Sequence, residues 1–515
     1  MMMAMNMYLS ALLYASLLFL LLKGNTYFFM MSISNFTTDM SFIQPSKLMM
    51  YFNFTIFTLS ALILYFTYFY MKNDLPINRF MTLMAIFVGS MIIMNNSNSC
   101  WTTWLGWEGL GVTSYLLIMF YNNWKANNSA TSTIMLNRVG DFCLLICLLN
   151  FIQTAEWKLN NSKMIPCLLL LVGVATLAKS AQIPLHSWLP IAMAAPTPVS
   201  SLVHSSTLVV AGAILCIKLN LFFSIPYMNW LCVTGYLTSF YSSLMALLEK
   251  DFKKILAYST MSQIALVMFM MYSNLSKLML MHIINHALIK ALLFMNIGIF
   301  IIFMFGNQDS RLMCLSSSLS PTITICTTCL LTMCGITFTS SYYSKEYTLL
   351  YNMKEESILL LINLMIFLSF AYSTRLIYLF FQMDNNNTNS TKTFYPSLNV
   401  NTTLMLPMLF NGWIFMYNYS LPLNMTWMNN KNFLLLLPLA MTTFFYLWIF
   451  NQMINNIDTM YNYFSNPLLI TKNYLGNKMK LINLSFNMNM PCYNNLTLTL
   501  WLLSSMIFIL TLSFT

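Results

Sequence analysis

The stretch AKSAQIPLHSWLPIAMAAPTPVSSLVHSSTLVVAGAILCIK, residues 178–218, sets Lys179, His186 and His204 in otherwise apolar sequence broken by Pro184, Pro190, Pro196 and Pro198. Proline lacks a backbone donor and clashes with the preceding turn. A helix entering from Leu168 is therefore expected to break near Pro184 and restart after Pro198. Ionisable groups at membrane depth are expensive and rarely accidental. A broken helix that carries a lysine reads as part of an ion path.

Composition supports a membrane setting. Of 515 residues, 58% are hydrophobic, 15% aromatic and only 7% charged, too little charge to solvate the surface of a water-soluble domain. Apolar runs long enough for a hydrocarbon core of about 30 Å recur along almost the whole chain. The net charge of +11 comes from basic residues scattered singly between those runs, as at loop ends beside a bilayer. No polybasic block or zinc-finger spacing is present, which excludes a nucleic-acid role. Cys326 and Cys329 have metal-type spacing, but no second such pair exists and they sit in an apolar run, so they read as packing residues and no metal site is assigned. Residues 1–22 show no cleavable targeting pattern, and the first helix is expected to stay. The excess of Met, Asn and Phe suggests an AT-rich organelle genome.

The hydropathy pattern predicts an all-α polytopic membrane protein with about 15 transmembrane helices in one compact bundle. The expected spans centre on 7–22, 49–71, 79–95, 101–121, 133–153, 165–183, 199–221, 228–248, 254–272, 277–304, 319–339, 355–382, 402–418, 432–451 and 497–514. Two segments differ. Residues 383–397 are polar and Asn-rich, and 452–496 are too polar to span yet too apolar to float free. The second suits an amphipathic helix along the bundle or the membrane surface, and a loose loop fits the pattern equally.

The charges inside the spans are where chemistry is legible. Arg138 and Asp141 in NRVGD share a helix face and read as a neutralised structural pair more readily than as a relay. Glu108, in WLGWEGLGV, has no cation within helical reach, so its partner is expected from another span, with Lys179 the obvious one. His282, His286 and Lys290 step by four residues down one helix face and favour a proton wire over simple packing. Lys345 and Glu346 follow GITFTSSYYS. There Gly335 and the hydroxyl cluster could interrupt a helix at mid-membrane, although periodicity alone favours a simple loop ending. EKDFKK, residues 249–254, reads as a charged loop in which Asp251 and Lys254 pair across one turn. Burial pushes a lysine towards its neutral form and a nearby carboxylate restores its charge. One opposite charge at about 4 Å and an effective dielectric of about 20 is worth roughly 4 kcal/mol, enough to load or unload a lysine near neutral pH.

WLGWEGLGVTSYLLI, NRVGD, the proline-broken stretch, DFKKILAYSTMSQIAL, HIINHALIKALLF, YYSKEY and AYSTR together resemble, in order, the subunit 5 family of mitochondrial NADH dehydrogenase, the antiporter-like proton-pumping subunits of respiratory complex I. The resemblance runs from about residue 40 to 380 and weakens beyond. It implies two inverted five-helix repeats, each with a discontinuous helix, followed by extra helices, a lateral helix and an anchor helix. The implied layout is N-terminal helices over 1–75, a first repeat over 76–250, a second over 251–382, additional helices over 383–451, the lateral helix over 452–496 and the anchor over 497–515.

The resemblance also implies roles. Glu108 and Lys179 match the family's Glu/Lys pair, His204 the histidine after it, Lys290 with His282 and His286 the polar stretch between repeats, and Lys345 with Glu346 the terminal lysine and its acidic neighbour. Arg138, Asp141, His186, Asp251, Lys254, Glu346 and Arg375 are expected to support them. The implied activity is proton translocation across the mitochondrial inner membrane by a mitochondrially encoded chain without cofactors. NADH, FMN, iron–sulfur clusters and ubiquinone belong to partner subunits. Expected partners are neighbouring antiporter-like subunits, accessory subunits and lipids including cardiolipin. A cation/proton antiporter subunit and a non-conducting structural subunit are the alternatives. Three features depart from the family. An N-terminal span is expected to be missing, Ala194 stands where relatives carry an acid, and the 45 residues of the lateral segment reach only about 68 Å even if fully helical.

Overall fold

The computed structural model describes residues 47–382, apart from 73, 75, 98–99, 154–165, 220–224, 274–275, 305, 311–319, 337–338 and 352–355, together with 401–402, 404–405 and 407–412. The expected spans at 7–22, 432–451 and 497–514, the lateral segment 452–496 and the polar stretch 383–397 lie outside the described residues.

The described chain is helical. It comprises α1 (Lys47–Tyr70), α2 (Ile77–Asn96), α3 (Cys100–Ile118), α4 (Trp124–Gln153), α5 (Pro166–Lys179), α6 (Thr197–Leu202), α7 (Leu208–Leu219), α8 (Ile225–Leu248), α9 (Phe252–Met270), α10 (Ser276–Phe303), α11 (Ser320–Cys334), α12 (Ser340–Tyr351) and α13 (Glu356–Gln382). Among the described residues, seven helical runs are long and apolar enough to cross a membrane. The expected spans at 101–121 and 254–272 appear as α3 and α9, each 19 residues long.

The helices sort by what surrounds them. α10 sits at the centre, packed by α1, α6, α9, α11 and α12, and it is buried almost throughout, apolar around most of its circumference with one face carrying His282, His286 and Lys290. α4 is the opposite case. It exposes Met135 (70%) and Phe142 (64%) while burying Asn137 and Asp141. That arrangement would be unfavourable in water and suits a helix whose outer face meets hydrocarbon or another membrane protein.

Both interruptions fall where the sequence placed special residues. α5 stops at Lys179, five residues before Pro184, and the chain runs through a single helical turn at Trp188–Ile191 before α6 begins beside Pro198. The last turn of α5 is closed by Gln182 N–H donating to Leu177 O (3.0 Å), with Ala181 in the left-handed region at φ 52°. α11 ends in the same way. Ile336 N–H donates to Leu331 O (3.5 Å) and Gly335 takes φ 84°. This is the six-to-one closure of a Schellman motif, which needs one left-handed residue just past the helix. The loop ending that periodicity favours before Lys345 is therefore corrected. The chain breaks at Gly335 and resumes as α12, carrying Lys345 inside.

Three supporting residues hold this frame. Asp251 pairs with Lys254 at 2.9 Å, as the spacing predicts. Arg375 donates to Ala246 O (2.6 Å) and Glu249 O (2.7 Å), which caps the carbonyl end of α8.

Candidate functional site

At the first interruption, Lys179 has no exposed surface. Its Nζ donates to Trp107 O at 2.5 Å and lies 4.1 Å from the centre of the Trp107 ring. Trp107 Nε1 in turn donates to Asp141 (2.6 Å), so one tryptophan on α3 joins the lysine to a carboxylate on α4. The expected pairing of Glu108 with Lys179 is corrected here. Glu108 does take its partner from another span, but that partner is Arg138 at 2.6 Å, which also reaches Asp141 at 3.6 Å. The Arg138–Asp141 pair is thus one edge of an acid–base–acid triad. The physical reason is reach. Glu108 and Arg138 lie on the adjacent helices α3 and α4, whereas Lys179 is turned onto the Trp107 carbonyl.

Trp188 links this site to the next. Its Nε1 donates to Ala178 O (2.9 Å) at the end of α5, and its ring lies 6.1 Å from His204. His204 sits in a π-helical turn, Val203–Thr207, between α6 and α7. Such turns recur at functional sites because they leave a backbone group and a side chain out of the regular ladder. His186 does not join this group. It lies half-exposed in the connection, 4.9 Å from the ring of Tyr241.

On α10 the three residues do line one face, and they are buried. His282 Nδ1 lies 2.8 Å from Ser344 Oγ on α12, and Lys290 Nζ donates to Ser259 Oγ (2.5 Å) on α9. Among the described residues, neither ring nitrogen of His204 or His286 has a partner by hydrogen-bond geometry, and His286 lies against the Ser205 backbone. At the second interruption, Lys345 is fully buried and turned back onto the end of α11. Its Nζ donates to Met333 O (2.8 Å), Cys334 O (3.0 Å) and Ser369 Oγ (3.1 Å). Glu346 points away, beside Tyr342.

Two further lysines, Lys218 half-buried and Lys253 buried, were not singled out by the sequence. Lys218 closes the carbonyl end of α2 by donating to Met94 O (2.5 Å) and Ser97 O (2.9 Å). Lys253, placed by its spacing in a charged loop, is 4% exposed and donates to Ala195 O (3.1 Å) in the broken segment. The signal for Lys218 was available: a lysine bordering a long apolar run with no acid one turn away.

Buried lysines held by neutral oxygens, with histidines and hydroxyls among them, inside a helical bundle with two broken helices, are features of a membrane protein of the antiporter-like class. The chain belongs to the NADH:quinone oxidoreductase/Mrp antiporter transmembrane family, whose model matches residues 97–372. Within that family it is similar to proteins named NADH-ubiquinone oxidoreductase chain 5. The Caenorhabditis elegans protein is 37% identical over 66% of this chain and 65% of its own length. The Locusta migratoria protein is 37% identical over 69% and 64%, and the Anopheles arabiensis protein 40% identical over 62% and 85%. The chain thus spans a little under two thirds of the first two relatives. Among solved structures, the fold matches a chain of an archaeal respiratory membrane complex, the membrane-bound sulfane sulfur reductase, with TM-score 0.70 at 17% identity over 80% of this chain and 90% of that one. It also matches a chain of the Mrp complex from Dietzia sp. DQ12-45-1b, with TM-score 0.63 at 22% identity over 71% and 43%.

Proposed function

We propose that this chain is a proton-translocating membrane-arm subunit of respiratory complex I in the mitochondrial inner membrane, driven by electron transfer from NADH to ubiquinone in other subunits. The observation that carries the reading is the burial of Lys179, Lys290 and Lys345, none with any exposed surface and each held by neutral oxygen atoms. A buried ammonium is easily deprotonated, and a change in a neighbouring charge shifts its proton affinity. Its lone pair then accepts a proton from the next hydroxyl or imidazole. Protons pass from the Glu108–Arg138–Asp141 triad and Lys179 through His204 to Lys290, His286 and His282, and on to Lys345.

The partner side is also addressed. Arg138 is 42% exposed and Glu108 18% exposed, in the middle of two apolar helices. A half-open ion pair is poorly suited to lipid, so a neighbouring membrane subunit with polar groups at that depth covers α3 and α4. FMN, iron–sulfur clusters and the quinone are assigned to partner subunits.

The test is a native gel of mildly solubilised inner mitochondrial membrane, stained for NADH dehydrogenase activity, with mass spectrometry locating the chain. It is expected in the large active band. Recovery only in a small inactive complex would replace this reading with cation/proton antiport, to be followed by a cation-exchange assay.

A further inference from the structure

α10 meets α12 at two polar rungs. At the first, His282 Nδ1 lies 2.8 Å from Ser344 Oγ. At the second, Asn285, less than one turn further along α10, donates from Nδ2 to Ser340 O (2.9 Å), the carbonyl one turn before Ser344 on α12. Asn285 is itself held. Asn411 Nδ2 donates to Asn285 Oδ1 (2.7 Å), and Asn411 Oδ1 accepts from the Tyr51 hydroxyl on α1. Tyr51, Asn285, Ser340 and Asn411 are all buried. Together they form a one-way chain of hydrogen bonds from α1, through the helical residues 407–412, to the start of α12. Gly412 marks a second, independent contact at the same place. A Cβ there would stand 2.7 Å from both Cα and O of Ser340, so the backbone of 407–412 lies directly against the residue that Asn285 holds.

We propose that Asn285 is a positioning residue for proton transfer at the second interruption, holding α12 in the register that sets Ser344 against His282 and Lys345 against the end of α11. The role rests on the proton-translocating reading above. No proton moves along the amide chain itself. An amide N–H does not ionise near neutral pH and a carbonyl has no proton to give, so the contribution is geometric. Both Asn285 and Asn411 use their oxygen as acceptor and their nitrogen as donor, which fixes the way each amide faces.

α12 needs such a hold because it restarts after the break at Gly335. A helix that restarts takes its rotation and height from tertiary contacts, since no preceding turn supplies them. Hydrogen bonds between membrane helices contribute only modestly to stability, whereas a fully satisfied polar network specifies one arrangement. Transfer between His282 and Ser344 requires hydrogen-bond distance, so a small turn or slide of α12 would open the 2.8 Å contact. The molecule also carries its own control. Asn401 Nδ2 donates to Asn296 Oδ1, a second buried amide pair between α10 and the same C-terminal segment. Asn296 lies about 16 Å beyond Asn285 along the axis of α10, well away from Ser340.

The experiment measures protons translocated per electron pair by fully assembled complex reconstituted in vesicles, for Asn285→Leu, Asn296→Leu and Lys345→Ala, with thermal unfolding of each. Leucine keeps the branched shape of asparagine and removes its hydrogen bonds. Asn285→Leu is expected to lose most of the pumping that Lys345→Ala loses. Asn296→Leu is expected to keep the native stoichiometry while losing a comparable amount of thermal stability, because a merely structural amide alters how much complex survives and not what the surviving complex pumps. Native stoichiometry in Asn285→Leu, while Lys345→Ala loses pumping, overturns the positioning role and leaves the function standing. Equal pumping losses in Asn285→Leu and Asn296→Leu also overturn it, since they would mark a general loosening of the bundle. Native stoichiometry in Lys345→Ala overturns both the role and the reading beneath it. Should Asn285→Leu fail to assemble, Asn411→Leu keeps the Asn285 amide and removes the donor that orients it. A partial loss of pumping there supports the role, and no loss overturns it.

Discussion

The two helix interruptions share one backbone device and use it for different electrostatics. Both end with a left-handed residue, Ala181 at φ 52° and Gly335 at φ 84°, and both have a fully buried lysine, two residues before Ala181 and ten after Gly335. At the first, the lysine is the last residue of α5 and reaches outward to another helix, where Trp107 ties it to Asp141. The freed end of α5 is closed by the neutral indole of Trp188. At the second, the lysine comes after the break and turns back, so that the ammonium itself caps the carbonyl end of α11. The negative end of a helix dipole favours a cation there. Lys179 is therefore governed by carboxylates that can themselves be neutralised or displaced, and Lys345 by peptide dipoles that cannot. Under the proposed function, the first site responds to a charge change and the second holds a proton in a fixed field.

The contrast can be broken by mutation. The largest effect is expected for Lys345→Met, which leaves two buried carbonyls of α11 without a donor and costs about 1–3 kcal/mol. Lys179→Met leaves only the Trp107 carbonyl and should cost about half of that. Thermal unfolding of the solubilised complex ranks the two, and equal losses would remove the distinction between cap and reach. Gly335→Ala comes next. It forces a side chain into the left-handed region and brings a new Cβ to 3.2 Å from Lys345 Cδ, for a loss of about 1–2 kcal/mol. The reverse change at the first break, Ala181→Gly, should stabilise by up to about 1 kcal/mol, because the native φ already suits glycine. A gain there together with a loss at Gly335 confirms that both breaks depend on the same conformation.

The smallest effect lies outside the spans. The hydrogen bond from Lys254 holds the Asp251 carboxyl below the usual carboxylate range. A depressed carboxyl contributes stability that is present above its unfolded value of about 3.9 and is lost as pH falls through the lower folded value. The difference between the native chain and Asp251→Asn should therefore be constant from about pH 8 to 5 and shrink only below about pH 4. Screening of this largely exposed pair keeps the difference small. Melting curves across that range test the sign.

What the sequence made legible was what local spacing controls. Prolines fix a break in any context, and residues three or four apart share a helix face whatever surrounds them. The interruption before Pro184, the Asp251–Lys254 pair and the row His282, His286, Lys290 follow from those rules. The partner of Glu108 did not, because Arg138 is 30 residues away and reaches it only through the packing of α4 against α3. Lys345 was ambiguous for a related reason. Whether a glycine and a hydroxyl cluster end a helix or merely interrupt it depends on whether the chain resumes inside the bundle, which no local pattern encodes. Lys253 was misplaced because a charged hexapeptide looks solvated until the broken segment supplies the Ala195 carbonyl to receive its ammonium.

The most direct test of the account is the number of protons translocated per electron pair by fully assembled complex carrying Lys179→Ala, measured beside Lys345→Ala. If protons pass between the two sites, both variants lose the same share of pumping, because a wire cut at either end carries nothing. Unchanged pumping in fully assembled Lys179→Ala would remove that residue from the path and contradict the account.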